Sequence, residues 1–195
     1  MAKVAETKEK ERVVLGISGA SGVAYGIRLL DALRELGLES HLVMSRAAEM
    51  TIGLETKLRP KAVAARADVA YAIGDIGAAI ASGSFRTKGM IVAPCSVRSW
   101  SEIATGVTTS LLTRAADVTL KERRPLVLIV RETPLHVGHL RSLTQLAEMG
   151  AIILPPLPAF YSAPHTLADF VDQVAGRALD LLGYDWPAQK RWVGH

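Results

Sequence analysis

Gly16, Gly19 and Gly22 fall at every third position of the segment Gly16-Ile17-Ser18-Gly19-Ala20-Ser21-Gly22, which continues the apolar run that begins at Val13. A glycine-rich turn between a strand and a helix start is a cradle for an anion. Backbone N–H groups and the helix dipole face the charge, and glycine lets the backbone approach it closely. The spacing is neither the dinucleotide G-x-G-x-x-G nor a Walker loop with its Lys-Ser/Thr. Ser18 and Ser21 add hydroxyl groups, although glycines that merely seat a helix on a strand would give the same pattern. A second cluster is Arg131-Glu132-Thr133-Pro134, directly after the apolar run Leu126–Val130. A charged pair there is costly to bury without partners, which points it toward a ligand. Lys121-Glu122-Arg123-Arg124 reads, by itself, as a solvated helix end favoured by the helix dipole. Cys95 lies between Pro94 and Ser96 after an apolar strand, so it reads as a buried thiol rather than a nucleophile. His136 and His139 are spaced i, i+3 as metal ligands can be, but no further ligands accompany them and no metal is expected.

The elements that must position these residues alternate along the chain. Val13–Ile17 is a buried strand, and Ile27, Leu30, Leu33 and Leu36 mark a helix ended by Gly37. Ser40–Met44 is a second strand, closed by Ser45 and a helical stretch through Leu54. Val69–Ile73 is a weaker, edge-like element. Met90–Ala93 is a fourth strand, followed by Pro94-Cys95-Ser96 and a helix toward Ala104. Thr109 to Glu122 reads as helix, Leu126–Val130 as strand, and Pro134–Met149 as a helix with proline at its start. Gly150 ends it, Ile152–Leu154 is a sixth strand, and a proline-rich loop carrying Phe160 and Tyr161 leads to a helix from Thr166 to Leu182. Continuous Val/Ile/Leu strands separated by helices predict an α/β, three-layer, flavodoxin-like or Rossmann-like fold with a mostly parallel sheet. In such sheets ligands bind beyond the C-terminal strand ends. Ser18–Gly22, Ser45, Ser96–Ser99 and Arg131-Glu132 all occupy those positions.

The 195 residues fit one domain, taken as residues 12–195 with a C-terminal tail, after a charged and disordered N-terminal extension over residues 1–11. Hydrophobic residues make up 49% and aromatics only 5%, so Leu, Val, Ile and Ala build the core. A single cysteine excludes an internal disulfide and, with no signal core and no membrane-length apolar run, places the chain in the cytoplasm. The net charge of +4 gathers at Arg114, Lys121, Arg123, Arg124 and Arg131 without interleaved aromatics, which argues against nucleic acid and for a small phosphorylated ligand. Trp186 and Trp192 in the tail are expected to fold back or dock on a neighbouring subunit.

Taken together, GISGASG (Gly16–Gly22), Ser45, LET (Leu54–Thr56), SGSFRT (Ser82–Thr87), APCS (Ala93–Ser96), TRAADVTLKERRPLVL (Thr113–Leu128), RETPLHVGHL (Arg131–Leu140), PAFY (Pro158–Tyr161) and Arg191-Trp192 resemble the flavin prenyltransferase (UbiX-like) family. The resemblance runs from Val13 to Trp192. It implies a homo-oligomer, commonly a dodecamer, with active sites between subunits. The implied reaction joins a dimethylallyl group from dimethylallyl monophosphate to N5 and C6 of reduced FMN without a metal. The product, prenylated FMN, serves UbiD-type decarboxylases.

Carried over by position, Gly19, Ala20, Ser21 and Ser45 would hold FMN, with Ser96, Val97, Arg98, Ser99 and Arg131 lining the flavin. Tyr161 and Arg177 match the positions that bind the prenyl phosphate, and Lys121 a further phosphate-binding cation. Glu55 and Glu132 match the acidic residues of the active site, and Trp192 the aromatic near the prenyl group. Two positions depart from the pattern. Ser162-Ala163-Pro164-His165 displaces a histidine that often follows PAFY, and Thr109 stands where Asp or Asn is common. An FMN-dependent cysteine decarboxylase and a non-catalytic flavin carrier or decarboxylase subunit are the competing readings. The former needs a histidine base and an Asn-containing substrate motif that are not found here.

Overall fold

The computed structural model describes residues 10–194, so most of the expected N-terminal extension, residues 1–9, lies outside the described residues. Of the rest of that stretch, Glu11 is tied down: its carboxylate pairs with Lys88 at 2.6 Å and accepts from the Tyr184 hydroxyl at 3.0 Å. Six strands form one sheet: β1 (Arg12–Ile17), β2 (Glu39–Met44), β3 (Val69–Tyr71), β4 (Gly89–Cys95), β5 (Leu126–Val130) and β6 (Ile152–Ile153). All pairings are parallel, in the order β3-β2-β1-β4-β5-β6. The three-layer α/β architecture expected from the sequence is present, and its strand order reverses between β1 and β4, where such folds take their ligands.

Seven α-helices cover the sheet: α1 (Val23–Glu35), α2 (Arg46–Glu55), α3 (Pro60–Ala64), α4 (Val97–Ala104), α5 (Leu111–Lys121), α6 (Val137–Glu148) and α7 (Leu167–Asp180). Alternate residues of each central strand enter opposite cores. Val13, Leu15 and Ile17 of β1 join Leu29, Leu33, Val174 and Trp186 on the α1–α7 face. Val14, with Met90 and Val92 of β4, joins Trp100, Leu112 and Leu146 on the face of α4, α5 and α6. Burial on both faces is why the strands read as unbroken apolar runs. Among the described residues no helix is long and apolar enough to cross a membrane.

The element ends differ from the sequence reading where caps decide them. Helix α6 starts at Val137, not at Pro134, because the His136 ring accepts from the amides of Gly138 and His139 and so becomes the N-cap. Helix α5 starts at Leu111 because Ser110 and Thr113 form a capping box. Gly26 lets α1 lie against the sheet, since a Cβ there would stand 2.4 Å from the Ala93 carbonyl oxygen.

Beyond α7 the tail folds back, as expected for Trp186. Its indole is 1% exposed, donates to Glu35 at 2.8 Å and receives the Arg28 guanidinium at 4.5 Å from the ring centroid. Arg28 also holds Asp172 of α7 at 2.6 Å, so α1, α7 and the tail form one packed unit. Truncating Trp186→Ala is expected to lower unfolding stability by about 3–5 kcal/mol in urea denaturation; a loss below about 1 kcal/mol would show that the tail is not part of the cooperative core.

Candidate active site

Three turns at the C-terminal strand ends meet around one cavity of about 760 Å³. The β1–α1 turn brings Gly19, Ala20 and Ser21; the β2–α2 turn brings Ser45; the β4–α4 turn brings Ser96, Val97, Arg98 and Ser99. Arg131 and Glu132, after β5, complete the rim. Every residue that the sequence assigned to flavin binding therefore borders the same cavity.

The turns are locked to one another by buried contacts. Ser18 does not face the cavity. Its hydroxyl donates to the Pro94 carbonyl at 2.8 Å and accepts from the Ser96 amide at 2.7 Å, joining the first turn to the fourth strand end. The hydroxyl expected as a ligand donor is thus a structural bridge, because both of its hydrogen-bonding directions are taken up inside the fold. Gly19 abuts the β2–α2 turn: a Cβ there would lie 2.2 Å from the Ala47 Cβ. Glycine at this position makes room for protein as well as for any anion.

Two serines cap the helices that end at the cavity. The Ser45 hydroxyl accepts from the Ala48 amide at 3.0 Å and the Ser96 hydroxyl accepts from the Ser99 amide. The Ser45 hydroxyl keeps its own hydrogen to offer outward, whereas the Ser96 and Ser99 hydroxyls bond to each other at 3.2 Å and have one hydrogen between them to offer. The N-termini of α2 and α4, with the turn before α1, direct partial positive charge into the same space. The cavity also carries Arg46, Arg98 and Arg131. Helix N-termini, hydroxyls, guanidinium groups and the apolar walls of Ile73 and Leu112 suit a planar, phosphorylated, hydrogen-bonding molecule, and the volume lies in the usual range for such ligands. By this test the residues fit FMN.

The start of α1 is itself filled by protein. The Glu55 carboxylate accepts from the Gly22 amide at 2.9 Å and the Val23 amide at 3.1 Å. Gly22 reaches this geometry with φ of 102°, in the left-handed region. The anion cradle read from the glycine spacing thus holds a carboxylate at its helix end, which leaves Gly19–Ser21 to face the cavity. Nearby, Arg131 donates to the Ser21 carbonyl at 3.3 Å. Burial pushes the Glu55 carboxyl up, but hydrogen bonds from Ser21, Gly22 and Val23 and the Arg131 charge pull it down further, leaving it below its ordinary value.

The remaining assigned residues lie elsewhere. Tyr161 and Trp192 meet edge to face, 5.8 Å between ring centroids, on the α7–tail side of the molecule. Gln173 of α7 donates to the Tyr161 hydroxyl at 3.1 Å, and Arg177 stands one turn further along the same helix beside Asp180. Trp192 is 59% exposed. None of these three residues borders the cavity. Lys121 lies further still. It ends α5 just before β5, at the N-terminal ends of the strands, where it pairs with Glu122 at 2.5 Å. Within one chain it cannot join the residues around the cavity.

Sequence reasoning did not single out Glu102, which lines the cavity while accepting from Arg98 and from Thr109. Its only signal was the i, i+4 spacing from Arg98. Cys95 is fully buried and burial alone pushes its thiol far up, consistent with an inert role. His136 is spent on the α6 cap, and among the described residues no group of three or more His, Cys, Asp and Glu is placed to hold a metal ion.

Comparison with known proteins places this geometry in context. The Flavoprotein family matches residues 1–178. The flavin prenyltransferase UbiX of Escherichia coli K12 is 54% identical over 187 residues, which are 94% of this chain and 99% of that protein. The crystal structure of AnUbiX in complex with FMN and dimethylallyl pyrophosphate superposes with a TM-score of 0.94 at 47% identity, covering 95% of this chain and 99% of the other. A dodecameric FMN-dependent UbiX-like decarboxylase from Escherichia coli O157:H7 gives a TM-score of 0.91, also at 47% identity, covering 94% of this chain and 100% of the other.

Ionised Glu55 at the α1 terminus makes a pH prediction. A carboxyl held below its unfolded value stabilises the fold above that value, and the contribution is lost as the pH falls through the folded one. The stability gap between wild type and Glu55→Gln is therefore expected at neutral pH and should close below the ordinary glutamate value of 4.5. Thermal unfolding between pH 7 and pH 3 reads it; a gap constant across that range would exclude this role.

Proposed function

The chain belongs to the UbiX-like flavin prenyltransferase family within the flavoproteins, and we propose that it transfers a dimethylallyl group from dimethylallyl monophosphate to N5 and C6 of reduced FMN. The observation that carries this reading is the single cavity bordered by Gly19, Ala20, Ser21, Ser45, Ser96–Ser99 and Arg131, with Glu132 at its rim. The amides of the first turn, the outward hydrogen of Ser45 and the one hydrogen that the Ser96–Ser99 pair leaves free hold FMN, and Arg131 contacts it. When bound, reduced FMN supplies the electron pairs that close the new bonds at N5 and C6.

The chain's own residues handle the leaving group and the proton. As the allylic C–O bond breaks, its electron pair departs with the phosphate. Lys121, Arg177 and the Tyr161 hydroxyl stabilise that anion, as charge-assisted hydrogen bonds do. The Trp192 ring faces the allylic cation, a contact worth about 0.5–2 kcal/mol. The released phosphate carries the proton displaced from N5 to the prenyl double bond, which makes the electrophile for ring closure, and the Glu132 carboxylate takes the proton lost from C6. Glu55 orients the donor or the flavin from the α1 terminus. No metal is required, since a monophosphate leaves with less charge than a diphosphate.

Lys121, Tyr161, Arg177 and Trp192 reach such a site only from another copy of the chain. That supports a homo-oligomer, proposed as a dodecamer. Exposed apolar side chains at Leu54, Leu157, Phe160, Leu167 and Val193 give it surface to bury. We further propose one domain over residues 12–195, a cytoplasmic location, and a UbiD-like decarboxylase as the recipient of prenylated FMN. Neither a cysteine decarboxylase nor a passive carrier accounts for the Lys121, Arg177 and Tyr161 set.

Anaerobic incubation with reduced FMN and dimethylallyl monophosphate, followed by mass analysis, is expected to yield a flavin heavier by one C5 unit; unchanged FMN would overturn the assignment. Glu132→Gln should slow prenylation by about 10²–10⁴-fold while FMN still binds. Full activity in that variant would remove the proposed proton transfer. Oligomers co-assembled from Glu132→Gln and Lys121→Ala chains should regain a measurable fraction of activity, because some sites then draw an intact residue from each. If Lys121 acted within its own chain's cavity, mixing would restore nothing.

A further inference from the structure

Arg123 holds φ of 54°, one of two positive-φ non-glycine residues among the described residues, the other being Ala163. It closes α5: its amide bonds to the Leu120 carbonyl and the Arg124 amide to the Thr119 carbonyl, both at 2.9 Å. This is the left-handed helix end that glycine fills at no steric cost and that a side chain with a Cβ opposes. An arginine kept there carries a strain that its side chain does not relieve within the chain. It is exposed and makes no side-chain hydrogen bond or ion pair to a described residue.

Its neighbours are all committed. Arg124 spreads its guanidinium over the loop of residues 82–87, donating to the Gly83 carbonyl at 2.7 Å and the Phe85 carbonyl at 2.8 Å. Lys121 and Glu122 pair above Gly83, where a Cβ would collide with both side chains. The loop thus forms a fixed seat for Lys121, and the strained turn adds a second, uncommitted cation beside it. Lys121 and Arg123 line one shallow cavity of about 630 Å³ with Arg124, Met149 and Ile152.

We propose that Arg123 is a specificity-determining residue of the prenyl-donor site, its planar guanidinium binding the donor's phosphate next to Lys121. The proposal rests on the reading of Lys121 as a phosphate-binding residue of that site. A guanidinium fork matches two phosphate oxygens at once, which the point charge of Lys121 does not. Strain retained at such a position is what a binding role would maintain against the more stable glycine.

The test separates cap from ligand contact. The assembled protein, loaded with oxidised FMN so that no transfer occurs, is titrated calorimetrically with dimethylallyl monophosphate. Arg123→Gly and Arg123→Asn, both at ease in the left-handed region, should weaken donor binding about tenfold or more. FMN affinity and oligomer size should stay unchanged, and the thermal midpoint should be equal or higher. Arg123→Lys, which keeps the charge and loses the fork, should recover only part of the binding. Wild-type donor affinity in Arg123→Gly would overturn the proposal and leave Arg123 a helix-end residue only. Lys121→Met distinguishes the two readings: loss there with none in Arg123→Gly sinks this inference alone, whereas wild-type binding in Lys121→Met sinks the reading of Lys121 on which it rests.

Discussion

The Ser18 hydroxyl, fully buried between two turns, is the contact on which the rest of the site depends. It donates to one residue of the β4 end and accepts from another, so the β1 and β4 ends are held at a single separation where the strand order reverses. The bond from the Ser96 amide cannot be surrendered cheaply, because an amide left unsatisfied away from water is penalised in full. Gly19 against Ala47 then fixes the third turn relative to the first. Three helix starts therefore converge with no help from a ligand. The cavity is preorganised by the fold, and the Ser45 hydroxyl is left with a hydrogen to give because it already accepts from the start of α2.

Charge is distributed with the same separation of duties. Glu55 spans 33 positions of sequence to cap α1, so the helix terminus nearest the cavity is already neutralised by protein. What remains open to an anion is the turn before it, the two capped helices and the arginines. Outside the cavity lining, Arg124 is anchored to the loop of residues 82–87 and Lys121 pairs with Glu122 beside it. A chain built this way has the two halves of a phosphate-handling site on opposite ends, and a neighbouring copy is the economical means of uniting them.

Much of this was legible in the sequence, for physical reasons that differ by residue. Parallel strands covered on both faces leave continuous apolar runs, so all six were found and the residues just after them were correctly grouped at one end. Helix ends were less legible where a side chain outside the usual set did the capping, as His136 does in place of Pro134. The roles of Ser18 and Glu55 were not legible at all, because each depends on partners 76 to 78 and 32 to 33 residues away. Lys121 is the instructive case. Its place before a strand predicted a solvated helix end, and the family resemblance predicted a site residue. Both statements hold if the site is shared between chains.

The burial of Cys95 has a consequence for survival in air. Reduced flavin reacts with oxygen to give peroxide, released within a few ångströms of wherever the flavin is held. The protein's single thiol sits at the end of β4, immediately before the Ser96 turn, yet it is sealed by the sheet and kept protonated by its apolar surroundings. Peroxide attacks thiolates, not shielded thiols. This arrangement shields the only cysteine from the oxidant that a reduced flavin generates.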